Sequence, residues 1–227
     1  MSILSHKGLF VIIPAYNEEK TIAEVIRKTK KYADNIIVVD DGSCDNTAEI
    51  AKEMEAIVYS HSINRGLGGA LGTGIKAALI HGAEIIITLD ADGQHDPCHI
   101  SSLIEPIISS EVEVVIGSRF LNNQKIPFLR KFYNKIGNLV TYFLFGIKTT
   151  DSQSGFRVFS RRAAELLELK TNRMEVSSEI FKEIKANNLR FKEVAIEAIY
   201  TEYSLSKGQG ALVGLKTLIK LLILKIT

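Results

Sequence analysis

The sequence lacks several features that mark other classes of protein. Its two cysteines, Cys44 and Cys98, are far apart and form no CxxC motif, so we expect free thiols in a reducing compartment. The net charge of +2 is too small to indicate a nucleic-acid partner. The first residues carry no cleavable signal pattern. Lysines interrupt the last apolar segment, so no uncharged run reaches the roughly 18 residues that a membrane-spanning helix needs.

What the sequence does contain is an alternation of short apolar runs with helical patterns. The runs are rich in β-branched residues and apolar on both faces, which is typical of strands buried in a parallel sheet. The predicted strands are 10–13, 36–39, 57–59, 85–89, 112–117 and 191–200. The predicted helices are 19–31, 46–54, 68–80, 97–109, 128–145, 161–168, 175–187 and 211–226. This order predicts an α/β fold with a mostly parallel sheet flanked by helices.

Polar and acidic residues follow three of the predicted strands. The segments are "VIIPAYNEE" at 11–19, "IIVVDDGSCDNT" at 36–47 and "LDADGQHDP" at 89–97. Ligands of parallel sheets bind outside the carboxyl ends of the strands, so we expect these segments to form one site. In the second segment, Asp41 is placed to accept a hydrogen bond from a base N–H of a uracil or guanine ring.

The segment at 89–97 has three carboxylates, and each needs an interpretation. An EF-hand is excluded because its fifth and sixth positions are Gln94 and His95 rather than an acidic residue and glycine. Asp96 precedes Pro97, which favours a role as helix cap. Asp90 and Asp92 fit the DxD motif of nucleotide-sugar glycosyltransferases, which holds Mg²⁺ or Mn²⁺ against a diphosphate. A DxDG phosphatase of the haloacid dehalogenase type is the alternative, although that motif usually opens its domain.

Two further groups of residues are weaker indicators of a functional site. The glycine-rich segment 64–79 contains a GxGxxA fragment inside a helical pattern and no Gly-Lys-Ser/Thr, which argues against a dinucleotide or P-loop site. We expect it to form a loop and a closely packed helix near the nucleotide, with Arg65 on a phosphate or at the surface. Four histidines have no ligand spacing and are interpreted as structural or surface residues: His61, His81, His95 and His99.

Six segments together carry a resemblance over roughly residues 8–207. They are "VIIPAYNEEKTI", "VVDDGSCDNT", "NRGLGGALGTGIKAAL", "LDADGQHDP", "VIGSRF" and "DSQSGFRVFSR". In this order and spacing the sequence is similar to family 2 glycosyltransferases with the GT-A fold. Among these it most resembles the dolichyl-phosphate and polyprenyl-phosphate hexosyltransferases. The resemblance implies an inverting, metal-dependent transfer of a sugar from a UDP-sugar or GDP-mannose to a lipid phosphate.

The resemblance also implies roles for individual residues. The nucleotide-sugar pocket would comprise Pro14, Tyr16, Asn17, Glu18, Asp41, Asp90 and Gln94. The metal would be held by Asp90, Asp92 and Gln94. The catalytic residues would be Asp92, Arg119, Asp151 and Arg157, with Asp151 a base only if the acceptor is a hydroxyl. The candidates for the acceptor phosphate are Arg119, Arg130, Ser154 and Lys207.

Two segments indicate contact with a membrane surface. Residues 119–147 mix lysine and arginine with phenylalanine and tyrosine, as interfacial helices do, although a helix packed on the core is the alternative. The segment 211–227 is amphipathic and could instead pack on the protein or form an oligomer seam. We therefore expect a GT-A domain at 1–210 and a C-terminal amphipathic helix at 211–227. The expected location is the cytoplasmic face of the membrane, as a peripheral enzyme, beside a membrane partner or as a homo-oligomer.

Besides the DxDG phosphatase, two alternatives for function stay open on the sequence alone. One is a family 2 transferase that acts on a saccharide hydroxyl. The other is a non-catalytic subunit that binds a nucleotide-sugar.

Overall fold

The computed structural model describes residues 8–122, 126 and 128–199. Its strands are β1 (Leu9–Ala15), β2 (Asn35–Asp40), β3 (Ile57–Ser60), β4 (Ile85–Thr88), β5 (Val114–Ser118), β6 (Arg157–Ser160) and β7 (Phe191–Ala195). Its helices are α1 (Ile22–Thr29), α2 (Thr47–Glu53), α3 (Leu67–Ile80), α4 (Ile100–Ile108), α5 (Phe128–Phe145), α6 (Arg161–Leu166) and α7 (Val176–Ala186). Lys207 and the helix predicted at 211–226 lie outside the described residues.

The strands form one sheet in the order β3-β2-β1-β4-β6-β5-β7. Strands β1 to β4 are mutually parallel, and β5 is parallel to β7. Strand β6 is antiparallel to both of its neighbours, β4 and β5, so those two run in the same direction. The prediction of an α/β fold with a mostly parallel sheet is confirmed.

Strand β6 is the element that the sequence analysis missed. It has four residues, begins with the charged Arg157 and follows the polar segment 150–155, so it is too short and too polar to show strand periodicity. Arg157 pairs with Thr88 of β4 and with Ile116 of β5. Because β6 is antiparallel, its first residue lies at the edge where the neighbouring strands end.

Helices cover both faces of the sheet, and each face has its own apolar core. Alternate residues of β1 point to opposite sides: Val11 and Ile13 pack with α1, α2 and α4, whereas Ile12 packs with α3, α6 and α7. Helix α3 lies close to the sheet because Gly74 has no side chain; a Cβ there would collide with Ile12. This confirms that small residues of the glycine-rich segment allow close packing.

No helix in the described part of the chain is both long enough and apolar enough to cross a bilayer.

Candidate active site

The predicted nucleotide-binding residues begin at the ends of two adjacent strands. Pro14 is in β1, Tyr16 follows that strand with 45% of its surface exposed, and Asp41 follows β2. The two strands are parallel, and the backbone N–H of Asp41 donates to the carbonyl of Ala15 at 2.8 Å. These residues therefore share the carboxyl edge of the sheet.

Asn17 and Glu18 join the loop after β1 to the loop after β2. The backbone N–H of Asn17 donates to Ser43 Oγ at 2.9 Å, and its Oδ1 accepts from the N–H of Cys44 at 2.9 Å. The backbone N–H of Glu18 donates to Thr47 Oγ1 at 2.8 Å. Asn17 has a φ of 54°, in the left-handed region that asparagine tolerates better than most residues. The two loops are thus held together as one wall.

Asp41 is buried and its carboxylate is already engaged by protein donors. Oδ1 accepts from His61 Nδ1 at 2.7 Å and from the N–H of Arg65 at 2.9 Å, and Oδ2 accepts from the N–H of Gly66 at 2.6 Å. The Nε2 of His61 lies 2.9 Å from Thr73 Oγ1 of α3. From the sequence, His61 was expected to be a structural or surface residue with no role in the site. Its position directly after β3, beside β2, was the signal that could have found it.

Asp90 follows β4 and its carboxylate packs against backbone. A Cβ on Gly155 would collide with both carboxylate oxygens of Asp90, and Thr88 Oγ1 fixes this approach by donating to the Gly155 carbonyl at 2.7 Å. The Asp90 side chain keeps 35% of its surface exposed. Burial raises the pKa of Asp90, while the charges of Arg119 and Arg157 act in the opposite direction.

Asp92 is held by Gln94, which in turn contacts helix α5. The backbone N–H of Gln94 donates to Asp92 Oδ1 at 2.9 Å, and the Gln94 Nε2 donates to Oδ2. The Gln94 Oε1 accepts from Nη1 of Arg130. Burial, with the nearby charge of Asp90, raises the pKa of Asp92. The amide nitrogen of Gln94 is therefore used in positioning Asp92, and its oxygen is engaged by Arg130.

The pair Asp90 and Asp92 fits a divalent cation bound together with a diphosphate. Within residues 8–122, 126 and 128–199, no group of three or more His, Cys, Asp or Glu side chains is placed to hold a metal. Mg²⁺ is commonly bound by one or two carboxylates plus substrate phosphates and water, so two suffice. Burial raises the pKa of both carboxyls, the charge of Asp90 adds to this for Asp92 and that of Glu18 for Asp90, and a cation would offset the unfavourable charge.

Arg119 and Asp151 form a two-point ion pair at the same edge. Arg119 follows β5, and its Nε and Nη2 donate to Oδ2 and Oδ1 of Asp151 at 2.7 and 2.8 Å. The backbone N–H of Arg119 also donates to Oδ2 at 3.2 Å. Asp151 is fully buried. The structure thus brings together two predicted catalytic residues. Both carboxylate oxygens of Asp151 accept hydrogen bonds from Arg119.

Arg157, the first residue of β6, is a buried arginine near the Arg119–Asp151 pair. Its Nη2 donates to the carbonyls of Ser152 at 2.9 Å and Ser177 at 3.3 Å, and its Nε has no hydrogen-bond partner among the described residues. Burial lowers the pKa of Arg157 to about 10, against the charges of Asp90 and Asp151. At neutral pH the guanidinium is still charged. It therefore supplies a buried positive charge between two carboxylates and fixes the backbone of the 151–155 loop.

Three polar side chains from two elements, β7 and α5, hold the loop that contains Asp151. Glu193 of β7 accepts from the N–H of Thr150 at 2.8 Å, and Asn134 and Asn138 of α5 each donate to the Thr150 carbonyl at 2.7 Å. These contacts were not expected from the sequence. The two asparagines are four residues apart and so lie on one face of the helix, which was the available signal.

Three residues near the acidic loop have structural partners. Asp96 Oδ1 accepts from the N–H of Cys98 at 2.9 Å, which confirms the helix-cap interpretation. Ser154 is fully buried and its Oγ accepts from the N–H of Phe156 at 3.3 Å, so in this structure it points into its own loop. His95 is buried against Phe156, and burial lowers its pKa to about 4.

Helix α5 presents an apolar surface to solvent, which we call the α5 surface. Its large exposed residues are Phe128, Phe132, Tyr133, Ile136, Leu139, Tyr142 and Phe143. Exposed Lys131, Lys135 and Lys148 lie in or just after the same helix. Arg130, in the first turn, links this helix to Gln94 and so to Asp92.

This parallel sheet, with one antiparallel strand and a paired-carboxylate loop after β4, defines a GT-A glycosyltransferase. The family model described as "Glycosyl transferase family 2" matches residues 10–167. The protein belongs to this family and is a glycosyltransferase.

Two curated relatives illustrate the similarity. The UDP-N-acetylglucosamine–dolichyl-phosphate N-acetylglucosaminyltransferase of Methanococcus voltae is 42% identical over 245 residues, covering 98% of each chain. The undecaprenyl-phosphate mannosyltransferase of Micrococcus luteus is 27% identical over 219 residues, covering 91% of this chain and 89% of its own.

The fold also matches a solved structure. Glucosyl-3-phosphoglycerate synthase from Mycobacterium tuberculosis, in complex with Mn²⁺, UDP and glucosyl-3-phosphoglycerate, aligns with a TM-score of 0.75. The alignment covers 96% of this chain and 79% of the synthase chain at 20% identity, so it shows similarity of fold alone.

Proposed function

We propose that this protein transfers a hexose, with inversion, from a nucleoside diphosphate sugar (a UDP-sugar or GDP-mannose) to a polyprenyl or dolichyl phosphate. Two relatives that match nearly its whole length are named for lipid-phosphate acceptors. The observation that carries the proposal is the ion pair of Arg119 with Asp151. A hydroxyl acceptor needs a general base, and Asp151, the residue assigned that task, has both oxygens bonded to Arg119. A phosphate acceptor is already anionic and needs none.

The chain's own residues would act mainly by positioning and by electrostatics. Asp90 and Asp92 would hold Mg²⁺ or Mn²⁺, which when bound neutralises charge on the leaving diphosphate. Arg119, oriented by Asp151, would face the acceptor phosphate, and Arg157 would hold the loop behind it. The acceptor oxygen forms a bond to the anomeric carbon as the bond to the diphosphate breaks on the opposite face. No proton is transferred, and the configuration inverts.

The membrane part of the proposal rests on the α5 surface. Exposed aromatic residues beside lysines suit the boundary between lipid headgroups and acyl chains, where the acceptor phosphate lies. Arg130 is placed at the start of this helix, near Asp92 through Gln94, and is a candidate for the acceptor phosphate together with Lys207. We propose a peripheral enzyme at the cytoplasmic face, with a catalytic domain at 1–210 and a second membrane-contacting helix at 211–227.

The first test is nucleotide binding, measured by calorimetry with UDP and GDP, in Mn²⁺ and then in EDTA. We expect binding to wild type that is lost with EDTA and strongly weakened by Asp92→Asn. No binding of either nucleotide to folded protein would overturn the proposal.

The second test compares acceptors of matched length, using radiolabelled donor. We expect transfer to a polyprenyl phosphate and none to the corresponding free polyprenol. Transfer to a saccharide hydroxyl, with none to the lipid phosphate, would support the saccharide alternative instead. Nucleotide binding without turnover on either acceptor would support a non-catalytic subunit.

A further inference from the structure

The carboxylate of Asp41 has little remaining capacity to accept hydrogen bonds. Its side chain is 4% exposed. Oδ1 already accepts from His61 Nδ1 and from the N–H of Arg65, and Oδ2 accepts from the N–H of Gly66. A carboxylate offers about four acceptor positions, two on each oxygen. The described contacts fill both positions on Oδ1 and one on Oδ2, which leaves a single position on Oδ2.

The donors around Asp41 cannot easily move away. His61 is held from its other side by Thr73 Oγ1 at 2.9 Å, and its side chain is 10% exposed. An ionised carboxylate only accepts, so His61 Nδ1 carries the hydrogen of this contact. Gly42, with a φ of 74°, packs so closely that a Cβ there would meet the backbone of residues 63–64. Rotating Asp41 to free both oxygens would leave buried N–H groups unpaired, which is unfavourable.

The two candidate bases differ in the donors that they present to a carboxylate. Uracil offers one ring N–H between two carbonyl groups. Guanine offers a ring N–H and an adjacent amino group, which together match two free carboxylate oxygens. With one acceptor position open, uracil can be satisfied, whereas guanine keeps an unpaired donor in a buried site.

We propose that the base pocket selects uracil over guanine, and that His61 is the positioning residue that sets this selectivity by occupying Oδ1 of Asp41. The donor would then be a UDP-sugar. This inference rests on the proposed function and narrows its donor.

The test measures the ratio of UDP to GDP affinity by calorimetry in Mn²⁺. For wild type we expect UDP to bind about tenfold tighter or more, because an unsatisfied buried donor is costly. His61→Ala frees a position on Oδ1, so the preference for UDP should fall several-fold while GDP loses less affinity than UDP. His61→Asn, whose amide can donate to Asp41, should keep most of the preference. A merely structural histidine would alter both affinities equally.

His81→Ala is the matched control. His81, at the end of α3, contacts Tyr59 and not Asp41, and its loss should leave the ratio of UDP to GDP affinity unchanged. If His61→Ala does not fold, Thr73→Val, which removes the outer support of His61, should lower the ratio in the same direction.

The outcomes separate the two proposals. GDP binding as tightly as UDP to wild type would overturn the inference and leave the transferase intact. A UDP preference that neither His61→Ala nor Thr73→Val changes would overturn the role of His61. Absence of binding by both nucleotides would overturn the proposed function itself.

Discussion

Arg119 and Asp151 are joined by two parallel hydrogen bonds of 2.7 and 2.8 Å, and Asp151 is fully buried. Removing one partner of a buried ion pair leaves the other charge uncompensated, at a cost of roughly 3–5 kcal/mol. We therefore expect Asp151→Ala to lower the free energy of unfolding by about that amount in denaturant titrations. The double variant Arg119→Met, Asp151→Leu should lose less than Asp151→Ala. Equal losses would show that the pair is not coupled.

The same pair predicts a kinetic result for the more conservative Asp151→Asn. If Asp151 only orients Arg119, the rate of hexose transfer should fall without a change in the shape of its pH profile. A general base would behave differently, because its removal would abolish the limb of the profile that reports its titration. Rates measured across the pH range on wild type and variant decide between these roles.

The position of Gly155 predicts a steric effect on the carboxylate of Asp90, the proposed metal ligand. A Cβ at this position would collide with the carboxylate of Asp90, so Gly155→Ala should displace that group and weaken Mn²⁺-dependent UDP binding by about tenfold or more. The matched control is Gly72→Ala in α3, where an added Cβ meets nothing within 4 Å. That change should leave binding intact and stabilise the helix by up to about 1 kcal/mol. Equal binding by the two variants would contradict the prediction.

The chain of contacts from Arg130 through Gln94 to Asp92 predicts that α5 influences the proposed metal site. Loss of a partner that orients a metal ligand commonly reduces metal affinity about 10–100-fold. We expect Gln94→Ala to raise the Mn²⁺ concentration for half-maximal activity within that range, and Arg130→Ala to raise it less. Lys131→Ala removes an exposed charge from the same helix turn and serves as control. If Lys131→Ala raised the Mn²⁺ concentration for half-maximal activity as much as Arg130→Ala, the effect would come from the loss of positive charge and not from the contact with Gln94.

The proposed contact of the α5 surface with lipid predicts the effect of placing a charge on that surface. Phe143 is 68% exposed, and Phe143→Glu places a charge where apolar burial in a bilayer is expected. Sedimentation with vesicles containing anionic lipid should show weaker binding of this variant, while calorimetry shows unchanged UDP binding. Ile80→Glu is the control, since Ile80 at the end of α3 is 82% exposed but lies outside this surface. Equal loss in both variants would argue against a specific lipid-facing surface.

The local pattern of the sequence was enough to predict six of the seven strands among the described residues and the acidic residues that follow them. Buried strands such as β4 are short apolar runs, and Asp90 and Asp92 follow that strand directly. For the helices within the described residues, positions agreed to within a few residues; α1 was predicted at 19–31 and observed at Ile22–Thr29. Predictions of this kind succeed because strand burial, helix periodicity and the strand-end rule depend on neighbours in the chain.

Contacts between distant segments were decided only by the tertiary structure. The antiparallel insertion of β6 between β4 and β5 brings Arg157 and the 151–155 loop to the acidic edge. It follows that Arg119 meets Asp151, 32 residues away. The placement of α5 in turn brings Arg130 to Gln94, 36 residues away. His61 reaches Asp41 because β3 lies beside β2. The amino-acid sequence determined which chemistry is available at each strand end. The order of the strands determined which of those side chains are paired, because pairing across a sheet depends on topology that local periodicity does not encode.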